Sequence, residues 1–275
     1  MKTRGLKSVA MLGIATLAFA GCSTGTNETT TPESADPGTG NDATTEATAK
    51  ERDLVVFAAA SMEPTFTELA KQFEENNPGV TVKFNFAGSQ DLQEQILGGA
   101  PADVFASANE KQMEPIVEAG LNDGEPQIFV TNTLEIVTPP GNPAGITNFA
   151  SLAQEDLKLV ICAPEVPCGS ATKKVEESTG VTLKPVSEED SVTNVLAKVQ
   201  AGEGDAGLVY QTDAKAAGDT VLAIPFPESD VAVNKYPIVA LKAAPQAELA
   251  SAWVDFILSA DVQAFLGEAG FGLPS

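Results

Sequence analysis

From Asp53 onward the chain alternates two kinds of segment, and that alternation restricts its architecture more than any other feature. Short apolar runs at 54–59, 80–86, 103–106, 128–137, 157–162, 206–210, 220–224 and 236–241 read as strands. Runs with helical periodicity at 62–76, 90–98, 110–119, 170–179, 192–201, 211–217, 246–258 and 260–268 fall between or after them. In the first of these helices Phe66, Leu69, Ala70 and Phe73 share one face; in the second, Leu92, Gln95 and Ile96 do. Strand–helix alternation implies an α/β class, with mostly parallel sheets flanked by helices on both faces.

The turns between these segments carry the chemistry. One strand ends at Ala59–Ala60–Ser61 and another at Ala87–Gly88–Ser89, each just before a helix. In open α/β sheets ligands gather outside the carboxyl ends of strands, where helix N-termini offer unpaired N–H groups and partial positive charge. Neither turn carries a cation, so the pattern suits a small oxyanion held by neutral donors. The segment APEVPCGSATKKV repeats the arrangement, with a helix starting near Gly169 that turns the N–H groups of Cys168 and Gly169 outward. In EEDSVTNVLAKVQ, Ser191 is an N-cap candidate before Val192, Val195, Leu196 and Val199, and AGLVY ends at Tyr210. Taken singly, Ser61 and Ser89 are ordinary helix caps and Tyr210 a core tyrosine. Four turns aimed at one cleft favour a site. Lys173 and Lys174 read as a solvated helix face.

Three of these segments, LVVFAAAS, AGSQDLQEQI and GAPADVFASA, resemble the signature segments of periplasmic molybdate-binding proteins, the soluble receptors of ABC importers. The resemblance runs from about Asp53 to the C-terminus and lies in the combination of segments. It implies a two-lobed, clamshell type II periplasmic-binding-protein fold with the ligand in the interlobe cleft. It also implies a receptor for molybdate and tungstate that hands the oxyanion to an ABC permease, with no catalysis and no cofactor. Carried over residue by residue, the ligand contacts are Ser61, Ser89, the backbone N–H of Cys168 where Ala is usual, Val192, and Tyr210. These would touch the oxyanion and are not direct metal ligands. Tyr210 lies in GLVYQTDA, which matches G-x-V-Y-x-x-D-A. Cys168 and Gln211 depart from the family pattern without removing a donor.

Donor-only chemistry bears on selectivity. Molybdate and tungstate are unprotonated dianions at neutral pH, whereas phosphate carries a proton that such a pocket leaves unpaired. Sulfate passes that test and is excluded only by cavity size, so a sulfate receptor of the same fold is the alternative. A secreted hydrolase is the remote one. The chain has no histidine, which removes Ser-His-Asp and Cys-His catalysis and every His-based metal site. GCSTG at 21–25 and GEGDAG at 202–207 match G-x-S-x-G and G-x-G-x-x-G in the wrong structural contexts. Glu188, Glu189 and Asp190 read as a solvated acidic turn rather than a metal site.

Thr133–Thr138 and Tyr236–Leu241 lie on either side of a complete α/β block. One lobe is therefore expected to comprise residues 53–136 and 238–275, with a second lobe of 137–237 inserted and two crossings forming a hinge. Residues 1–21, with Lys2, Arg4 and Lys7 before an apolar run from Ser8 to Ala20, resemble a bacterial lipoprotein signal. Ala20–Gly21 would precede an acylated Cys22, although Phe19 stands where Leu is usual; an ordinary secretory signal is the alternative. Residues 22–52 are rich in Thr, Gly, Pro and acids and read as a disordered tether. The expected location is outside the cytoplasmic membrane, touching it through the lipid alone, as a monomer. Removing 1–21 takes the net charge from −22 to −25, three cations and no acids being lost, which argues against nucleic acid as a partner. Cys162 and Cys168 then remain, with five residues between them that include Pro164 and Pro167, so a bridge closing a tight loop is expected, with two free thiols as the alternative.

Overall fold

The computed structural model describes residues 51–274, so the signal segment, Cys22 and the tether up to residue 50 lie outside the described residues. The first half of the chain order is β1 (Arg52–Ala59), α1 (Glu63–Asn76), β2 (Val80–Ala87), α2 (Ser89–Leu97), β3 (Val104–Ala106), α3 (Glu110–Glu118), β4 (Asn122–Asn132) and β5 (Leu134–Thr138). There follow β6 (Leu159–Cys162), α4 (Pro167–Thr179), β7 (Ser187–Glu189), α5 (Val192–Gln200), β8 (Ala206–Tyr210), α6 (Gln211–Ala217), β9 (Leu222–Ile224), β10 (Asn234–Leu241), α7 (Ala247–Leu258) and α8 (Ala260–Ala269).

These strands form two five-stranded sheets, ordered β2-β1-β3-β10-β4 and β7-β6-β8-β5-β9. The expectation of mostly parallel sheets is corrected to mixed ones. β1 runs parallel to β2 and β3, but β10 is antiparallel to both β3 and β4. In the second sheet β6 is parallel to β7 and β8, while β5 is antiparallel to β8 and β9. The cause is the crossing itself: β5 and β10 each arrive from the other sheet and are inserted as the fourth strand, against the direction of their neighbours.

The apolar run read as one strand over 128–137 is two. It changes sheets at Thr133, whose carbonyl accepts the Gln211 N–H at 2.9 Å while its own N–H donates to Asn132 Oδ1 at 3.1 Å. The return lies between Ile224, the last residue of β9, and Asn234, the first of β10. Both changes of sheet fall a few residues before the expected crossings at 136/137 and 237/238. β7 has no counterpart among the expected strands. Ser187–Glu188–Glu189 is a polar edge, held by Val186 N–H on Leu159 O at 2.9 Å and Ala163 N–H on Glu189 O at 2.8 Å. α4 begins at Pro167, earlier than expected, because proline suits the first helical position where no N–H partner exists.

On one face the first sheet packs an aromatic cluster, while Phe57 and Phe105 lie in a smaller one with Leu92, Ile96 and Met113. Trp253 of α7 is fully buried, with Phe66 edge-on at 5.8 Å and Phe73 at 5.1 Å between ring centroids. The expected apolar face of α1 is therefore its buried face. The second sheet is filled mainly by branched aliphatics such as Val160, Val195, Val199 and Leu208. Both cores end below the carboxyl ends of their parallel strands, so the strand–helix turns of the two halves meet.

Candidate functional site

Ser61, Ser89, Cys168, Val192 and Tyr210 line one small cavity between the two halves, among Ala59, Ala60, Ala87, Gly88, Ala108 and Val166. Its volume is about 10 Å³ counted as space open to the centre of a water molecule, close to one water-sized sphere. None of the lining residues carries a charged side chain. A larger hollow of about 330 Å³ around Met113, Val117 and Ile128 lies elsewhere, and Glu110, Glu114 and Glu118 at its rim would repel an anion.

Each turn has a local cause. β1 and β2 end in alanines whose small side chains let the following helix start close to the sheet. A Cβ on Gly88 would lie 2.2 Å from Asp190 O, so the two halves touch backbone to side-chain position at this point. In the second half Cys162 and Cys168 are bridged, with Cα atoms 5.7 Å apart. A Cβ on Gly169 would lie 1.9 Å from Ala163 O, so only glycine lets α4 begin so near the end of β6. Ser191 caps α5 as the sequence implies, accepting the Asn194 N–H at 3.3 Å. Cys168 and Val192 stand in the first turns of α4 and α5, where backbone N–H groups have no partner inside the helix.

The three hydroxyls share a more specific property: each has a polar partner inside the protein, and Ser89 and Tyr210 serve there as acceptors. Ser89 Oγ accepts the Ala108 N–H at 3.0 Å. Tyr210 Oη accepts Asn234 Nδ2 at 2.6 Å. Ser61 Oγ lies 3.1 Å from Tyr236 Oη, which in turn accepts Asn132 Nδ2 at 3.4 Å. Because Tyr236 receives a proton from Asn132, its own is free for Ser61. In that arrangement each hydroxyl keeps a proton that a ligand in the cavity can receive, with Tyr236 as a competing partner for the Tyr210 proton. Burial pushes the Tyr210 phenol well above its ordinary range, with the neighbouring Tyr236 phenol and Asp213 carboxyl adding to the effect, so the proton stays on. Burial also raises the Asp213 carboxyl to about 7, even though the Tyr210 N–H donates to it.

The halves are closed on each other. Gln90 Nε2 reaches across to Asp190 O at 2.9 Å, and Gln112 Nε2 to Glu165 O at 2.8 Å. Lys173 and Lys174 are exposed, on the face assigned to them. The acidic run is engaged elsewhere: Glu189 pairs with Lys198, and Asp190 Oδ1 accepts Asn194 Nδ2 at 2.6 Å. Among the described residues no group of three or more His, Cys, Asp or Glu side chains could hold a metal ion.

Sequence reasoning missed Asn132, Asn234 and Tyr236, the residues standing behind the hydroxyls. The available signal was slight. The chain has only two tyrosines, and the second lies on a segment recognised as a crossing.

The model of a family described as bacterial extracellular solute-binding protein matches residues 54–272. The molybdate-binding protein ModA of Mycobacterium tuberculosis is 48% identical over 223 residues, covering 81% of this chain and 85% of the relative. Among solved structures, the periplasmic molybdate-binding protein of Azotobacter vinelandii matches with a TM-score of 0.72 at 24% identity, over 81% of this chain and all of that one. The sulfate-binding protein SubI of Mycobacterium tuberculosis has the same fold, with a TM-score of 0.66 at 20% identity over 80% of this chain and 86% of that one.

Proposed function

This chain belongs to the bacterial extracellular solute-binding proteins, and from that premise we propose that it is an exported receptor for molybdate and tungstate. It is a binding protein and not an enzyme, with the oxyanion as ligand and no cofactor. One observation carries the reading: Ser61, Ser89, Cys168, Val192 and Tyr210 from two halves line one small cavity without a charged side chain, and Ser89 and Tyr210 already accept a hydrogen bond from within the protein. Such a site is rich in donors for bare oxygens and offers no carboxylate to a ligand proton. Ser61, Ser89 and Tyr210 would bind through their hydroxyls, and Cys168 and Val192 through their N–H groups.

The ligand acts by bridging two lobes, one built on the sheet of β1 to β4 and β10 and the other on the sheet of β5 to β9. It favours the closed form to the extent that it binds that form better. A closed, loaded receptor then docks on its ABC permease. The segment before the fold fits the same role: acylation at Cys22 and a tether through residue 52 would hold a monomeric body on the outer face of the cytoplasmic membrane. Mass spectrometry of the membrane-extracted protein tests the anchor, since an unmodified Cys22 there would remove it.

Calorimetric titration of residues 23–275 with molybdate, tungstate, sulfate and phosphate tests the ligand. Saturable binding of the first two, with sulfate and phosphate weak or absent, is the expected result. Tight binding of sulfate alone would keep the receptor and replace its solute, the reading favoured by the shared fold of a sulfate-binding protein. Heat from none of the four would end the oxyanion reading.

A further inference from the structure

Asn132 and Asn234 face each other in register across β4 and β10, on the strands through which the chain leaves and re-enters the first sheet. Each donates to a different buried tyrosine. Asn234 Nδ2 lies 2.6 Å from Tyr210 Oη and 2.9 Å from Ala108 O, and also 3.4 Å from Pro167 O. Asn132 Nδ2 lies 2.8 Å from Thr212 Oγ1 and 3.4 Å from Tyr236 Oη. Ala108 is shared ground: its carbonyl receives Asn234 while its N–H fixes the hydroxyl of Ser89. A single asparagine thus connects Ser89 of the first half to Tyr210 of the second through three hydrogen bonds.

The chemistry of that connection is directional. A carboxamide nitrogen has two protons and no acceptor capacity, so the Asn234–Tyr210 bond has only one possible polarity. The phenol must accept, and its single proton must leave in another direction. Asn234 is buried and so is Tyr210. The other asparagine amide proton is held by the Ala108 carbonyl, which fixes the amide plane and prevents the group from swapping its oxygen for its nitrogen.

We propose that Asn234 is a positioning residue for the bound oxyanion: it touches no ligand itself but donates to the Tyr210 hydroxyl and so leaves the phenol proton to be shared between the cavity and its neighbour Tyr236, the bound oxyanion drawing it to the cavity. Asn132 stands in the same relation to Tyr236, the hydroxyl partner of Ser61. The identity of the solute rests on the receptor reading above, whereas the state of the phenol can be read with no solute present.

Two measurements separate those possibilities. The first is a double-mutant cycle of Asn234→Leu and Tyr210→Phe, read by molybdate titration. A hydrogen bond to a charged ligand corresponds to roughly 10- to 150-fold in affinity, so Tyr210→Phe should lose that much. Asn234→Leu should lose a large part of the same factor, and the double variant should be scarcely weaker than Tyr210→Phe alone. Losses that multiply would mean that Asn234 acts through general packing, and the proposal would fall. Asn234→Asp keeps the side-chain shape but offers an acceptor to the phenol, turning its proton away, and should bind more weakly than the wild type even where Asn234→Leu folds poorly. Wild-type affinity in that variant would also overturn the proposal.

The second measurement is the carbon NMR signal of the hydroxyl-bearing ring carbon in tyrosine-labelled full-length protein. With two tyrosines in the chain the spectrum has two such signals. Asn234→Leu should move the Tyr210 signal in the absence of any oxyanion and leave that of Tyr236 nearly unmoved. An unmoved Tyr210 signal refutes the positioning role even if molybdate binds. A moved signal in a protein that binds no oxyanion keeps the positioning of Tyr210 and removes the receptor reading.

Discussion

The two halves of this molecule have the same sheet plan and opposite ways of presenting donors. In each, three parallel strands end at the cavity and a strand from the other half is inserted fourth. Their ends correspond in order: Ser61 with Cys168, Ser89 with Val192, and Ala108 with Tyr210. The first half donates through side chains and leaves its third position small. The second donates through main-chain N–H groups and fills its third position with a phenol. Side-chain donors depend on what stands behind them, while main-chain donors depend on where the helix begins. The first half is accordingly backed by hydrogen bonds from Ala108 and Tyr236, and the second by a disulfide and a glycine that fix the start of α4.

The sharpest way to break the comparison is through the two crowded glycines. A Cβ on Gly88 meets Asp190 O of the other half at 2.2 Å, whereas one on Gly169 meets Ala163 O of its own half at 1.9 Å. Gly88→Ala should therefore obstruct closure and weaken molybdate binding by about 1–3 kcal/mol, the usual cost of overpacking, with the ligand-free melting temperature unchanged. Gly169→Ala should do the reverse and lower the ligand-free melting temperature by distorting the turn. Calorimetry and thermal melts on both variants give the answer. If Gly88→Ala binds like the wild type, close approach of the halves at this point is no part of the bound state.

Next in size are the serines. Ser89→Ala removes a donor and also strands the Ala108 N–H in a buried setting, so its loss should reach the upper part of a range of about 1.5–3 kcal/mol. Ser61→Ala removes a donor and the Ser61 partner of Tyr236, whose rotatable hydroxyl can turn to another acceptor as a backbone N–H cannot, and should fall in the lower part of that range. Val192→Ala keeps its N–H and should barely change affinity. Titrating the three variants ranks them, and a Val192→Ala loss as large as that of Ser89→Ala would contradict the division between side-chain and main-chain donors.

The same division explains what was legible beforehand. A strand ending in small residues, then a hydroxyl, then a helical period is a local pattern, and it located Ser61 and Ser89 at their turns. Ser191 was legible as a cap for the same reason. Asn234 and Tyr236 act at separations of 24 and 175 residues, on Tyr210 and Ser61 respectively, and no local pattern records a partner so distant. Tyr236 also stands in an apolar strand, where a tyrosine looks like core. The break at Thr133 was hidden because apolar residues continue through it; what changes there is the sheet to which the strand belongs, and periodicity carries no trace of that. β7 was missed for the opposite reason, since a polar edge strand lacks the alternation by which strands are recognised.

That edge strand supplies the smallest test. Each half has an ion pair at its strands: Lys83 with Asp53 in the first and Lys198 with Glu189 in the second. The first pair is open to solvent, whereas the Glu189 side chain is only 11% exposed. Burial pushes the Glu189 carboxyl up, but hydrogen bonds from Lys198 and Ser187 and the Lys198 charge outweigh it and hold the group below its ordinary value of 4.5. A carboxyl in that condition binds its proton less readily folded than unfolded. Its contribution is therefore whole above the unfolded value and is lost as the pH falls through the folded one. Glu189→Gln should cost at most about 1 kcal/mol at neutral pH and nothing once the wild-type carboxyl is protonated. Asp53→Asn should cost less than that at neutral pH, because solvent screens that pair. Urea melts of both variants at neutral and acid pH measure the difference, and equal costs for the two would mean that the partial burial of β7 adds nothing to its ion pair.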